Sequence, residues 1–474
     1  LWMATARAGR RAIVVQATQG WPFEPYIAGG PFDPGQATRL VLVEGYAGIV
    51  GPEGALTARQ VPTRAAEGWM NLPQSGIPPR EIAFTVGTTQ LFGLFIDDPA
   101  DGTRGYDTML VTRVRDGQQV EARLKPGLST PGTTDKWSPT IEVDSRGQSG
   151  AGMFLRLFEL RADSSDFLLY FTRPIKELSS RPELVPALRK AGGVFVGNGA
   201  SRLYERGVFG PTIMRGGDGT AERRYLETVW LTQRQLMAAT QWALRNLPWD
   251  LVFTYTPFPD EAEHAWAGFM EPVLPGHRPE IAQLLQPFLE EVYRSCDEFL
   301  GMLMRLRPAG TVMALVSDHG MEGINKLVNI NTVLLQAGLL VLDGQGRVDL
   351  TRTKAIYFSG NNAYILINTM DRRAGIVTPS ERPQVLGQIR RALGEVRDGG
   401  RQVITGSFDA AGPDGLALGI GGEAGGHHGS RTIRHARVQT HSGRRCERSW
   451  PCRDRASRRA GESEACGRSI SRPR

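Results

Sequence analysis

The stretch Leu251-Val252-Phe253-Thr254-Tyr255-Thr256-Pro257-Phe258-Pro259-Asp260-Glu261-Ala262-Glu263-His264 joins an apolar run of strand length to an acid-rich segment. Its first half is rich in β-branched and aromatic residues, which suit a pleated surface, and two prolines close it. Asp260 and His264 stand four residues apart. One turn of helix would therefore aim both at the same point. Taken alone, an Asp-x-x-x-His pair serves equally as a capping acid and a surface imidazole. Its place at a strand end gives it more weight, because open parallel sheets hold ligands beyond the carboxyl ends of their strands.

Outward from this stretch the chain alternates helix and strand. Gln233 to Leu247 is compatible with a helix and leads through Pro248-Trp249-Asp250 into the strand. Downstream, Ile281, Leu284, Leu285, Phe288, Leu289, Val292, Phe299 and Leu303 recur mostly at three- and four-residue intervals, predicting a helix over Pro279 to Leu306. Thr311 to Val316 then reads as a second apolar strand, ending in Ser317-Asp318-His319-Gly320-Met321. This alternation predicts an α/β fold with a mainly parallel sheet flanked by helices. Near the start, a short helix from Ala4 precedes a strand at Arg11 to Gln16.

Residues from about 80 to 180 have another rhythm. Ile82–Val86, Thr108–Val114, Phe154–Leu160 and Phe167–Phe171 are short strands separated by Gly, Pro, Asp and Ser turns. The expected organisation is a partial α/β core over 1–79, a β-rich insertion over 80–185 and an α/β core with the metal motifs over 186–430. A basic disordered tail, out of reading frame, is expected over 431–474.

The net charge of +7 is local in origin. Residues 431–474 hold 13 Arg, no Lys and 4 acidic residues, which leaves 43 basic against 45 acidic residues in 1–430. The body is nearly neutral, so no specific nucleic-acid binding is expected. Cys446, Cys452 and Cys466 lie in the same tail, and Cys296 stands by itself in the body. The body has no disulfide framework, which suits periplasm, extracellular space or cytoplasm equally. No run reaches the roughly 18 apolar residues of a membrane span.

A third motif, Gly425-Gly426-His427-His428-Gly429, is flanked by glycines that let backbone approach a site closely. Residues 1–430 contain five histidines, and His264, His319, His427 and His428 fall in the three motif loops. Each motif alone has an ordinary structural reading. Together they predict one metal site built from Asp260, His264, Asp318, His319 and a histidine of the His427-His428 pair. Oxygen and nitrogen donors without thiolate suit zinc, with manganese as the alternative.

The order Asp-x-x-x-His, Ser-Asp-His-Gly-Met and x-His-Gly resembles the type I phosphodiesterase/nucleotide pyrophosphatase family of the alkaline phosphatase superfamily. The runs Phe253–Asp260, Val328-Asn329-Ile330-Asn331 and Gly375-Ile376-Val377 resemble it too. The resemblance implies two zinc ions, one held by Asp260, His264 and His428 and the other partly by Asp318 and His319. It implies hydrolysis of phosphodiester, pyrophosphate or phosphomonoester bonds in small substrates, through a phosphorylated Thr or Ser. The family's early Asp-Gly strand end and its nucleophile would precede Leu1, so the start is expected to be missing and the chain inactive as it stands. Glu263 replaces the usual Gly before the first histidine. Competing readings are a non-catalytic binding protein that keeps the fold, a sulfatase relative or a phosphoglycerate mutase relative.

Overall fold

The computed structural model describes residues 1–16, 23, 38–100, 102–192, 195, 197–324, 326–358, 364–404 and 406–407. The chain divides into two compact units, one over Leu1–Gly323 and one that opens at Ile324.

The first unit begins with α1 (Trp2–Arg7), β1 (Ala12–Val15) and β2 (Leu40–Glu44). Both strands are buried along their whole length, as expected for a sheet covered on both faces. Alternation divides their side chains. Ile13, Val15, Val41 and Val43 pack with Leu188 and Ala243, while Val14 and Leu42 pack with Phe253 on the other side.

Between β2 and the next strand of this sheet lies the β-rich part. Its strands are β3 (Gly54–Thr57), β4 (Arg64–Ala65), β5 (Arg80–Val86), β6 (Thr89–Ile96), β7 (Thr108–Thr112), β8 (Val120–Leu124), β9 (Ile141–Ser145), β10 (Gln148–Met153), β11 (Leu155–Leu160) and β12 (Phe167–Phe171). They form antiparallel sheets of order β4-β5-β6-β7-β8, β11-β12-β3 and β10-β9. One apolar core, with Phe84, Phe95, Met109, Leu155 and Phe167, joins them. Its first two strands precede residue 80, because β3 pairs with β12 and β4 with β5. Such long-range pairing cannot be read from local composition.

The chain then returns to the first sheet through β13 (Leu178–Ser179), followed by α2 (Val185–Gly192), α3 (Ser201–Glu205), α4 (Thr220–Asn246) and β14 (Leu251–Thr254). The sheet order is β13-β2-β1-β14, with β2 and β14 parallel to β1 and β13 antiparallel to β2. Two more helices, α5 (Asp260–Met270) and α6 (Pro279–Leu306), complete the described helices of this unit.

One sequence expectation fails here. Thr311 to Val316 forms no strand, and Val312, Leu315 and Val316 are 91%, 80% and 77% exposed. Apolar, β-branched composition supplies the tendency, but a strand exists only where an edge pairs with it. A turn closed by Thr311 N–H donating to Pro308 C=O at 3.2 Å comes just before this stretch.

The second unit contains α7 (Ile330–Gln336), the antiparallel pair β15 (Ala355–Phe358) and β16 (Tyr364–Ile367), and α8 (Arg382–Gly394). Leu334, Leu339, Ala355, Val377, Val385 and Ile389 form its core. Among the described residues, no helix is long and apolar enough to cross a membrane.

Candidate functional site

α5 begins where the sheet strand β14 ends, so its first turn lies at the carboxyl edge of the parallel sheet. Asp260, Glu261 and Glu263 occupy that turn, where the exposed N–H groups favour negative charge. The helix has one buried face made of Ala262, Ala265 and Trp266. Trp266 is fully buried, donates Nε1–H to the Tyr204 hydroxyl at 2.9 Å and stands edge-on to Tyr225. This aromatic anchor fixes the rotation of the helix about its axis. Asp260 and His264 therefore face away from the core.

Four of the five expected site residues meet there. Asp260 Oδ2 lies 3.5 Å from His264 Nε2, and its other oxygen, Oδ1, lies 3.8 Å from His319 Nε2. His319 Nε2 also lies 3.6 Å from Asp318 Oδ2. The site is open: the side chains of His264, His319 and Asp318 are 55%, 57% and 85% exposed. His428 lies outside the described residues.

These separations exceed the roughly 2.7–3.2 Å of an N–H···O hydrogen bond. They are near the roughly 3.3 Å that separates two donors sharing one tetrahedral zinc at about 2.0–2.1 Å. Among the described residues no three such side chains close around a single point, and the contacts run pairwise through Asp260 and His319. Asp260 Oδ1 is buried and has no hydrogen-bond partner.

The other nitrogen of His319 sharpens the electrostatics. Nδ1 lies 3.1 Å from the Gly320 carbonyl oxygen, which can only accept. Nδ1 must therefore carry the proton, and in a neutral imidazole Nε2 presents a bare lone pair. That lone pair faces two carboxylate oxygens. A cation near Nε2 would offset the repulsion between that lone pair and the carboxylates.

Sequence reading missed the polar groups behind this cluster. Tyr255 follows β14, and its pKa is pushed up to about 12, first by burial and then by the charges of Asp260, Asp318 and Glu261. Its phenol stays protonated at neutral pH and keeps its proton to donate. Tyr46 packs edge-on against Phe195 at 5.0 Å and lies 6.4 Å from the Tyr255 ring. Asn198 and Ser201 both donate to Glu261. The available signal was the tripeptide Gly197-Asn198-Gly199, a polar side chain held between two residues suited to left-handed backbone.

Residues 203–417 match the sequence model of the type I phosphodiesterase / nucleotide pyrophosphatase family. Asp260, His264, Asp318 and His319 all fall within the match. No curated protein and no solved structure matches the chain.

Proposed function

With the match over residues 203–417 as premise, we propose that this chain is a metal-dependent hydrolase of phosphodiester, pyrophosphate or phosphomonoester bonds in small substrates. The observation that carries this reading is Nε2 of His319 lying 3.8 and 3.6 Å from carboxylate oxygens of Asp260 and Asp318. The unpartnered Oδ1 of Asp260 and the all-oxygen-and-nitrogen donor set fit zinc, with manganese as the alternative.

Asp260 and His264 would hold one zinc, and Asp318 and His319 part of a second. The resemblance assigns His428 to the first. Bound divalent ions supply the charge that stabilises attacking and leaving oxygens in a displacement at phosphorus.

The chain's own residues do the rest. Asp260 turns one oxygen toward each histidine and so ties the two motifs together. The Gly320 carbonyl fixes the tautomer of His319. Tyr255, kept protonated beside the acids, can donate to a phosphoryl oxygen but cannot act as a base near neutrality.

The test is zinc content by elemental analysis, beside hydrolysis of bis(4-nitrophenyl) phosphate with added zinc. Asp260→Ala and His319→Ala should lose bound zinc together with any turnover the parent shows. Zinc content that is the same in both variants as in the parent would end this reading.

A further inference from the structure

The first turn of α5 carries two acids to which the metal reading gives no role, Glu261 and Glu263. Both are held from outside the helix. Glu261 Oε1 accepts from Asn198 Nδ2 at 2.6 Å, and Oε2 accepts from Ser201 Oγ at 3.2 Å. Glu263 Oε1 accepts from the Tyr293 hydroxyl of α6 at 2.5 Å.

Asn198 is itself fixed. Its Oδ1 accepts from the Tyr46 hydroxyl. Tyr46 N–H donates to Glu44 Oε1 at 2.7 Å, and Gly45 N–H donates to Gln16 Oε1 at 2.8 Å. These bonds run back to the carboxyl ends of β1 and β2. Gly197 and Gly199, on either side of Asn198, have φ of +86° and +77°, a backbone region that favours glycine. Ala200 N–H donates to Thr228 Oγ1 at 3.0 Å and seats the loop on α4. The amide of Asn198 thus has one orientation, with its oxygen toward a donor and its nitrogen toward a carboxylate.

We propose that Asn198 is a positioning residue for the Asp260–His264 turn. It ties Glu261 to the strand ends, so that the turn cannot rotate and the side chains of Asp260 and His264 stay aimed at His319 and Asp318. This inference rests on the metal reading for what the turn does, although the brace is a matter of geometry. Among groups that orient metal ligands from behind, loss of one commonly costs about 10- to 100-fold in metal affinity.

The experiment reverses the donor and acceptor across the Asn198–Glu261 bond. Asn198→Asp sets a carboxylate against a carboxylate and breaks the brace. Adding Glu261→Gln restores it with the polarity exchanged, and still leaves acceptors for the Tyr46 and Ser201 hydroxyls. Two quantities are read in the full chain: zinc affinity by chelator competition, and the ring-nitrogen shifts of His264 in metal-free protein. Thermal melting serves as the control for folding.

Asn198→Asp should weaken zinc binding about 10- to 100-fold and move the His264 shifts, and the double variant should recover most of both. Zinc affinity equal to the parent's in Asn198→Asp, or a double variant no better than the single, overturns the proposal. If the parent takes up no zinc, the metal reading falls by itself. The His264 shifts then decide: displaced in the single variant and returned in the double they support positioning, and unmoved they overturn it.

Discussion

The carboxylate of Asp260 lies between two histidines, with Oδ2 3.5 Å from His264 and Oδ1 3.8 Å from His319. Asp318, by contrast, faces His319 alone and is 85% exposed. The two acids should therefore differ in weight. Asp260→Ala removes a donor shared by both motifs and should abolish zinc uptake. Asp318→Ala should leave a weaker but measurable site. Zinc titrations of the two variants check the order, and equal losses would refute it.

A second expectation concerns how the β-rich part is fastened to α4. Arg156 is fully buried, donates Nε–H to Glu227 Oε2 at 2.6 Å and Nη2–H to Oε1 at 3.1 Å. Ser129 donates to the same carboxylate through its N–H and its hydroxyl. Glu227→Ala leaves a buried guanidinium without its counter-charge and should cost about 3–5 kcal/mol. Replacing both partners, as Arg156→Met with Glu227→Leu, should return much of that loss. Urea unfolding of the single and double variants measures both effects.

Stability should also depend on pH through Glu177. This carboxyl is 8% exposed, and burial raises its pKa to about 7, against the Phe195 N–H and Arg189, which lower it. The folded state thus binds the proton more tightly than the unfolded state, whose value is near 4.5. The contribution is complete below that value and is lost as pH rises toward about 7, at up to about 1.4 kcal/mol per pH unit. Glu44, also raised by burial, adds a slope of the same sign. Glu177→Gln should flatten the fall in unfolding free energy across this interval, and an unchanged slope would count against it.

The exposed run after α6 gives a fourth test. Val312 is 91% exposed, so Val312→Lys should change stability by no more than about 0.5 kcal/mol. A buried strand at this place would lose several times that. Urea midpoints of parent and variant decide between the two.

Thr311 to Val316 also marks where sequence reading stops. Its composition matches that of β1, and both have strand tendency, but β1 has a neighbour on each side and this run pairs with no strand among the described residues. Pairing is settled at a distance, and so is the membership of β3 and β4 in the antiparallel sheets. Helical periodicity is local, which is why Pro279–Leu306 was legible to its ends. The meeting of Asp260, His264, Asp318 and His319 was legible for a related reason: two chemically distinctive motifs sit at element ends. Asn198 and Tyr46 were not, because an amide and a phenol in a loop have no distinctive spacing. Their role appears only once Glu261 is seen between them and the helix.

The strands β2 and β13 are neighbours, with Leu178 paired to Glu44, and the chain between them leaves and comes back along one path. Val50 N–H donates to Pro174 C=O at 3.0 Å, and Lys176 N–H donates to Gly48 C=O at 2.8 Å. The chain therefore enters and leaves the β-rich part along one two-stranded stalk, while Arg156 on Glu227 and a shared aromatic core hold that part against α4. The strand order of the first sheet does not depend on that part, since a short hairpin between β2 and β13 would keep it, but the helix face under Phe158 and Tyr170 would need a new apolar cover. Topology would thus tolerate exchange of the β-rich part, and the core it shares with the helices is what such an exchange would have to rebuild.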